Sequence, residues 1–196
     1  MDRPDATAAV LAAIEDHAAT LSSLRALAPA IAHAACTLAG CLAAGGQILF
    51  CGNGGSAADA QHLAAEFVGR FLKERRAFPA IALHINTSTL TALGNDYGFE
   101  AVFARQVEAY GHPGDALVSI SASGNSPNVL QAVETARRLG LVTLGLSGGS
   151  GGPLAAACDT CLIVPSASTP RVQEGHILIG HIICGLVEDA LCSEVP

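Results

Sequence analysis

The sequence predicts an α/β protein whose mainly parallel sheet is covered by helices on both faces. Three observations carry that prediction. Five short apolar runs alternate with longer stretches of helical character. The links between successive runs are long enough for the crossover segments that parallel pairing requires. Finally, Ile48 to Glu66, ILFCGNGGSAADAQHLAAE, writes a strand, a glycine turn and a helix in succession, which is how polar groups reach the carboxyl end of a parallel sheet.

Taken in order, residues 5–44 are rich in Ala and Leu, have no glycine before Gly40 and read as two helices. A break is expected around Ser22 to Pro29, because proline cannot donate inside a helix and restrains its predecessor. Gly45 and Gly46 close this segment, so residues 1–45 are expected to pack on the sheet and on a subunit interface, with the sheet domain at 46–196. The first strand is expected at Gln47 to Cys51, followed by a helix from Ala57 to about Phe71. Lys73 to Arg76 form a charged linker, and the second strand follows at Ala80 to Leu83. Asn86-Thr87-Ser88-Thr89 signals the start of a short helical turn before Gly94 to Gly98, and Glu100 to Tyr110 reads as a helix. The third strand is expected at Ala116 to Ile120 and the next helix at Pro127 to Leu139, with Ser126 as its cap. The fourth and fifth strands are expected at Val142 to Leu146 and Cys161 to Val164, and an apolar helix from about Arg171 to Cys192.

Composition limits the function classes. A chain of 196 residues can bury one core without a disulfide or structural metal. Hydrophobic residues make up 51% but aromatics only 4%, so closely packed helices with small contact residues are expected, with some burial supplied by assembly. A net charge of −7 and only 10 Lys and Arg argue against nucleic acid as the main partner. No apolar run approaches the roughly 20 residues that cross a bilayer, and MDRPDATAAV lacks the basic start and apolar centre of a leader. No membrane association is therefore expected. The seven cysteines are odd in number and scattered, as in a reduced cytoplasmic protein, and the Cys158-Asp159-Thr160-Cys161 pair is expected to pack rather than to carry redox or zinc chemistry.

Two turns and two helices carry the candidate chemistry. Ser121, Ser123 and Ser126 surround a strand end that feeds a helix N-terminus, where free N–H groups and the dipole favour an anion; the same serines would also suit an ordinary capped turn. Neither this turn nor Gly52-Asn53-Gly54-Gly55-Ser56 matches the GxxxxGK[ST] or GxGxxG nucleotide patterns. His62 and Glu66, four residues apart, suit shared metal ligation, a base beside its partner, or a solvated helix face. A second polar set, Gln173, Glu174, His176 and His181, lies on the otherwise apolar last helix. A histidine buried there must be paired or used.

The runs CGNGGSAADAQHLAAEFVGRF, LTALGNDYGFEAVFARQV, SISASGNSPNV and TPRVQEGHILIGHIICGLVE resemble, in the same order, the phosphoheptose isomerases of the sugar isomerase (SIS) domain family. The resemblance covers nearly everything after about Ala43. It implies a flavodoxin-like three-layer α-β-α sandwich with a five-stranded parallel sheet, and a homotetramer with sites at subunit interfaces. It also implies conversion of sedoheptulose 7-phosphate to D-glycero-D-manno-heptose 7-phosphate on the way to ADP-heptose. It assigns phosphate binding to Ser121, Ser123 and Ser126 with the backbone at Ala122. Sugar contacts fall to Asn53, Gly54, Gly55, Ser56, Asn95, Asp96 and Gln173, and acid/base work to Glu66 and His181. In zinc-bearing members the positions matching His62, Glu66, Gln173 and His181 hold the metal. The Ser168-Thr169-Pro170 turn lacks an Asp that some members carry.

Aldose–ketose isomerisation moves a proton between adjacent carbons through an enediol, so it needs a base, a group that handles hydroxyl protons and stabilisation of an oxyanion. Glu66, His181 and Zn²⁺ would supply these, although a metal-bound carboxylate is a weaker base. Gln173 and His181 are eight residues apart, about 12 Å along a straight helix, so either ligands come from more than one subunit or Gln173 precedes the helix. The competing class is a non-enzymatic SIS-domain regulator that binds the replication initiator. The presence of both Glu66 and His181 favours the enzyme.

Overall fold

The computed structural model describes residues 6–192. Helix α1 (Ala6–Ser23) passes through a 3-10 turn (Leu24–Leu27) into α2 (Ala28–Ala43), with Pro29 in the first turn of α2, where its missing N–H costs nothing. Then follow β1 (Ile48–Gly52), α3 (Gly55–Val68), β2 (Ala80–Ala82), α4 (Thr87–Tyr97), a 3-10 turn (Phe99–Ala101) and α5 (Ala104–Tyr110). The chain continues through β3 (Ala116–Ile120), α6 (Pro127–Arg138), β4 (Val142–Gly148), α7 (Gly152–Ala157), β5 (Thr160–Val164) and α8 (Thr169–Leu191).

All five strands are parallel in the order β2-β1-β3-β4-β5, the doubly wound order in which the direction of winding reverses between β1 and β3. Side chains alternate cleanly between two cores, as a pleated sheet requires. Ile48, Phe50, Val118, Ile120, Leu144 and Leu146 face α2, α3 and α8. Leu49, Cys51 and Leu117 face α5, α6 and α7 on the other side. The three-layer expectation is borne out.

Several boundaries differ from the sequence reading for physical reasons. α3 begins at Gly55 rather than Ala57, because Gly54 at φ 58° turns the chain straight into the helix. Gly94, Asn95 and Asp96, expected in a turn, belong to α4, whose start is capped by the Asn86 side chain accepting from the Thr89 N–H. The segment read as one helix from Glu100 is a 3-10 turn followed by α5. Ser126 occupies the N-cap position of α6 but makes no side-chain cap; its hydroxyl meets Ser121 instead.

One expectation is corrected outright. The continuous helical segment Ala6–Ala43 is long and apolar enough to cross a bilayer by length and composition. Its apolarity comes largely from alanine, and it uses that face differently: Ile31, Ala34, Ala35, Leu38 and Leu42 of α2 are buried in the core, where α2 packs on α8. α1 lies outside that core, with Thr20 its only buried residue.

Candidate active site

The glycine turn at the end of β1 and the serine turn at the end of β3 flank the point where the sheet order reverses, because α3 and α6 leave on opposite faces. A reciprocal amide pair bridges them. Asn53 Nδ2 donates to Asn128 Oδ1 at 2.8 Å, and Asn128 Nδ2 donates to Asn53 Oδ1 at 2.9 Å. Asn128 is buried, and its Oδ1 also accepts from the Val129 N–H. Each amide has two donors and two lone pairs, so Asn53 keeps one donor and one acceptor for a ligand. The sequence reading missed Asn128; its signal was an amide in the first turn of the helix that follows the serines.

In the serine turn, Ser121 Oγ lies 3.0 Å from Ser126 Oγ, and Ser123 Oγ accepts from the Asn125 N–H. Ser121 is buried and Ser123 exposed, so the hydroxyls are presented at graded depth above the N-terminus of α6. A pocket of about 230 Å³ opens beside Ala122 and Ser123, walled also by Ser150, Ser166 and Thr169. Ser56, expected to face a sugar, is instead buried in the first turn of α3 beneath Gly52. His84, which the sequence reading did not single out, holds that turn from the loop after β2: its Nε2 is 2.8 Å from the Gly52 carbonyl oxygen. Burial lowers its pKa, so it serves as a neutral clamp.

Two helical turns further along α3 lies the second half of the site. α3 and α8 run side by side, and a side chain on Gly180 would place its Cβ 2.5 Å from Leu63 Cδ2. That glycine lets the helices approach closely enough for His181 to reach α3. His62 Nε2 and His181 Nε2 are 2.8 Å apart, and Glu66 Oε1 is 3.5 Å from His62 Nε2. The rings meet edge on, at 5.1 Å between centroids. Asp59, one turn earlier, adds a carboxylate whose Oδ2 is buried without a hydrogen-bond partner; burial raises its pKa against the pull of His62.

Two imidazoles and a carboxylate with ligand atoms within 4.8 Å of one another form a metal-competent cluster. The fit is chemical: nitrogen and oxygen donors suit Zn²⁺, and ligands on a tetrahedral zinc stand roughly 3.3 Å apart, close to the spacing found here. Gln173 is the fourth expected ligand. It lies inside α8, not before it, and its amide packs over Gly55. His181 meets His62 and Glu66 within one chain.

Two polar residues of the last helix take structural places. His176 is wholly buried, with Nε2 3.0 Å from the Ser147 carbonyl oxygen, and burial lowers its pKa. Glu174 pairs with His17 and Arg171 at 2.5 Å, tying α1 to α8; these partners outweigh desolvation and hold its pKa low. Asn95 and Asp96 are exposed on the last turn of α4, with Asn95 Nδ2 donating to Asp96 Oδ1. A larger pocket, about 430 Å³, lies at the opposite end of the sheet. There Asp115 is satisfied by Gln47 and the His112 N–H, so that pocket offers no comparable set of free groups.

A sequence profile described as the SIS domain matches residues 14–148. A phosphoheptose isomerase from Rhodospirillum rubrum is 62% identical over 166 residues, covering 85% of this chain and 88% of that protein. One from Nitratiruptor is 60% identical over 144 residues, covering 74% and 77%. Among solved structures, a phosphoheptose isomerase from Neisseria gonorrhoeae superposes with a TM-score of 0.89 at 43% identity, and one from Francisella tularensis with 0.90 at 41%. Each covers 93% of this chain, which in turn covers 98% of theirs.

Proposed function

Because the chain belongs to the SIS domain family and matches its phosphoheptose isomerases along most of its length, we infer that it is an aldose–ketose isomerase acting on sedoheptulose 7-phosphate. The product is D-glycero-D-manno-heptose 7-phosphate, a precursor of ADP-heptose. The observation that carries this reading is the convergence of His62, Glu66 and His181 from two helices. A non-catalytic binding protein would have no use for a base and two imidazoles gathered at an exposed seam.

In the mechanism, the serine turn and the N-terminus of α6 hold the phosphate through hydroxyl and backbone donors. The free donor and acceptor of Asn53, and exposed Asn95 and Asp96, orient the sugar hydroxyls. The Glu66 carboxylate takes a proton from C1 of the ketose and returns it to C2 of the enediol. His181 moves the hydroxyl proton between the two oxygens. His62, Glu66, Gln173 and His181 would hold a zinc ion that polarises the carbonyl oxygen and stabilises the oxyanion, with Glu66 and His181 released from it while they carry a proton.

We propose further that the working form is a homotetramer in the cytoplasm, with sites completed between copies. Supporting this, the two halves of the site lie about 10 Å apart along α3, from Gly55 to His62. α1 exposes Val10, Leu11 and Ile14, and a groove of about 380 Å³ beside α8 is lined by Leu21, Leu24, Ile31, Leu178, Ile182 and Leu186. The seven free thiols accord with a reducing compartment.

The deciding experiment incubates purified protein with sedoheptulose 7-phosphate, with and without a chelator. Aldose 7-phosphate formation that a chelator suppresses is the expected result; no product under either condition would remove the isomerase reading. Light scattering tests the tetramer, and a monomeric mass would contradict it.

A further inference from the structure

We propose that the buried Arg75–Glu188 pair, acting through Phe71, is the device that positions Glu66 and His181; this rests on the isomerase reading for its catalytic meaning. Both side chains are nearly sealed from solvent, with 3% and 2% exposed, and Arg75 Nε donates to Glu188 Oε1 at 2.9 Å. The pair is not a simple tie between two charges. The Arg75 guanidinium closes the end of α3, donating to the carbonyl oxygens of Glu66 (2.7 Å), Phe67 (2.9 Å) and Gly69 (3.1 Å). Those are among the last carbonyls of a helix, which have no intrahelical donor, and a cation there also complements the dipole. The backbone that carries Glu66 is thereby fixed.

The carboxylate performs the matching task on α8. Glu188 accepts from the N–H groups of Phe71, Leu72 and Lys73 at 2.7, 2.8 and 3.0 Å, gathering the loop after α3 against the helix that carries His181. Phe71, so placed, stacks on the His181 ring at 5.4 Å between centroids and 23° between planes. The ring lies beside Gly185, one turn beyond His181, where even a Cβ would make only ordinary contact, at 3.6 Å. His181 is therefore held between His62 on one side and Phe71 on the other. One buried ion pair thus fixes the backbone under the base and the ring behind its imidazole partner, from a place that touches neither substrate nor metal-competent atoms.

The test compares native protein with Arg75→Lys, Phe71→Leu and Phe71→Tyr. Lysine keeps the charge but cannot serve Glu188 and three carbonyls at once. Leucine removes the flat ring, and tyrosine restores it. Arg75→Lys and Phe71→Leu are expected to lower kcat and Zn²⁺ affinity by about tenfold, the scale of groups that orient metal ligands, with KM little changed. Phe71→Tyr is expected to recover most of both. Imidazole NMR should show the His181 ring resonances moved and broadened in Phe71→Leu and native-like in Phe71→Tyr.

The proposal is overturned if folded Phe71→Leu matches native protein in these readouts, if Phe71→Leu and Phe71→Tyr fall equally, or if only KM changes. Should Arg75→Lys fail to fold, the Phe71 pair decides. Should native protein give no product from sedoheptulose 7-phosphate, the isomerase reading fails by itself, and the Zn²⁺ and imidazole measurements still judge the positioning role.

Discussion

Glu66 is where residue chemistry bears most directly on function. Its side chain is partly buried beside His62, and its own carbonyl is held by Arg75, so Glu66→Gln preserves size and backbone contacts while removing the base. We expect kcat to fall about a hundredfold or more with KM little changed, as for loss of a general base. Steady-state kinetics checks this, and a fall in kcat of less than tenfold would move the base elsewhere. The cysteines make the opposite kind of prediction. Burial pushes the Cys51 and Cys158 thiols up to about 12 and the Cys161 thiol up to about 11, so they stay protonated at neutral pH and resist reaction. Brief iodoacetamide treatment of native protein should label exposed Cys36 first and spare these three. Mass spectrometry of tryptic peptides reads the outcome, and early labelling of Cys158 would revive the redox reading of its pair.

At the scale of elements, the seam between α3 and α8 decides whether there is a site. Alanine is favoured over glycine in a helix interior by about 1 kcal/mol, so Gly180→Ala should stabilise the protein if propensity governed the position. Contact with Leu63 argues the reverse, since overpacking a close-packed seam costs about 1–3 kcal/mol. We expect packing to win. Gly180→Ala should lower Tm by a few degrees, and adding Leu63→Val should recover part of the loss. A higher Tm for the single variant would show that the seam yields. The charged stretch 73–76 teaches a related lesson. It read as a charged linker, yet the Arg75 side chain is buried while its neighbours Glu74 and Arg76 are exposed. Composition marks a charge run but not which member the fold will turn inward.

For the molecule as a whole, His84, His176 and Glu188 set one direction of pH dependence, against which the raised pKa of Asp59 acts alone among the described carboxylates. Burial lowers the pKa values of His84 and His176, so acid protonates the unfolded chain first and stability falls as pH drops below about 6.5. For Glu188, burial by itself would raise the pKa, but three backbone donors and Arg75 outweigh it and hold the value low. Its contribution is present above the ordinary glutamate value and is lost as pH falls through the depressed one. Both terms act with the same sign. Urea midpoints should be flat near pH 7.5, decline from about pH 6.5 and fall further below pH 4.5. His176→Asn should flatten the first decline, and an unchanged slope would show that His176 does not supply it.

Periodicity and turn chemistry in the sequence determined the alternating layers, the five strands and the two polar turns, because those signals are local: apolar runs of strand length, glycines where the chain must turn, serines at a helix start. They also singled out Glu66 and His181 as polar groups on apolar helices. The tertiary structure decided what distance along the chain conceals. It brought residues 119 positions apart to 2.8 Å, laid the Gln173 amide over Gly55, and buried His176 in the core. It also recruited Asn128, His84, Phe71 and Arg75, whose roles depend on partners contributed by other elements. A side chain's type records what chemistry it can do, but only packing chooses which neighbour it does it with.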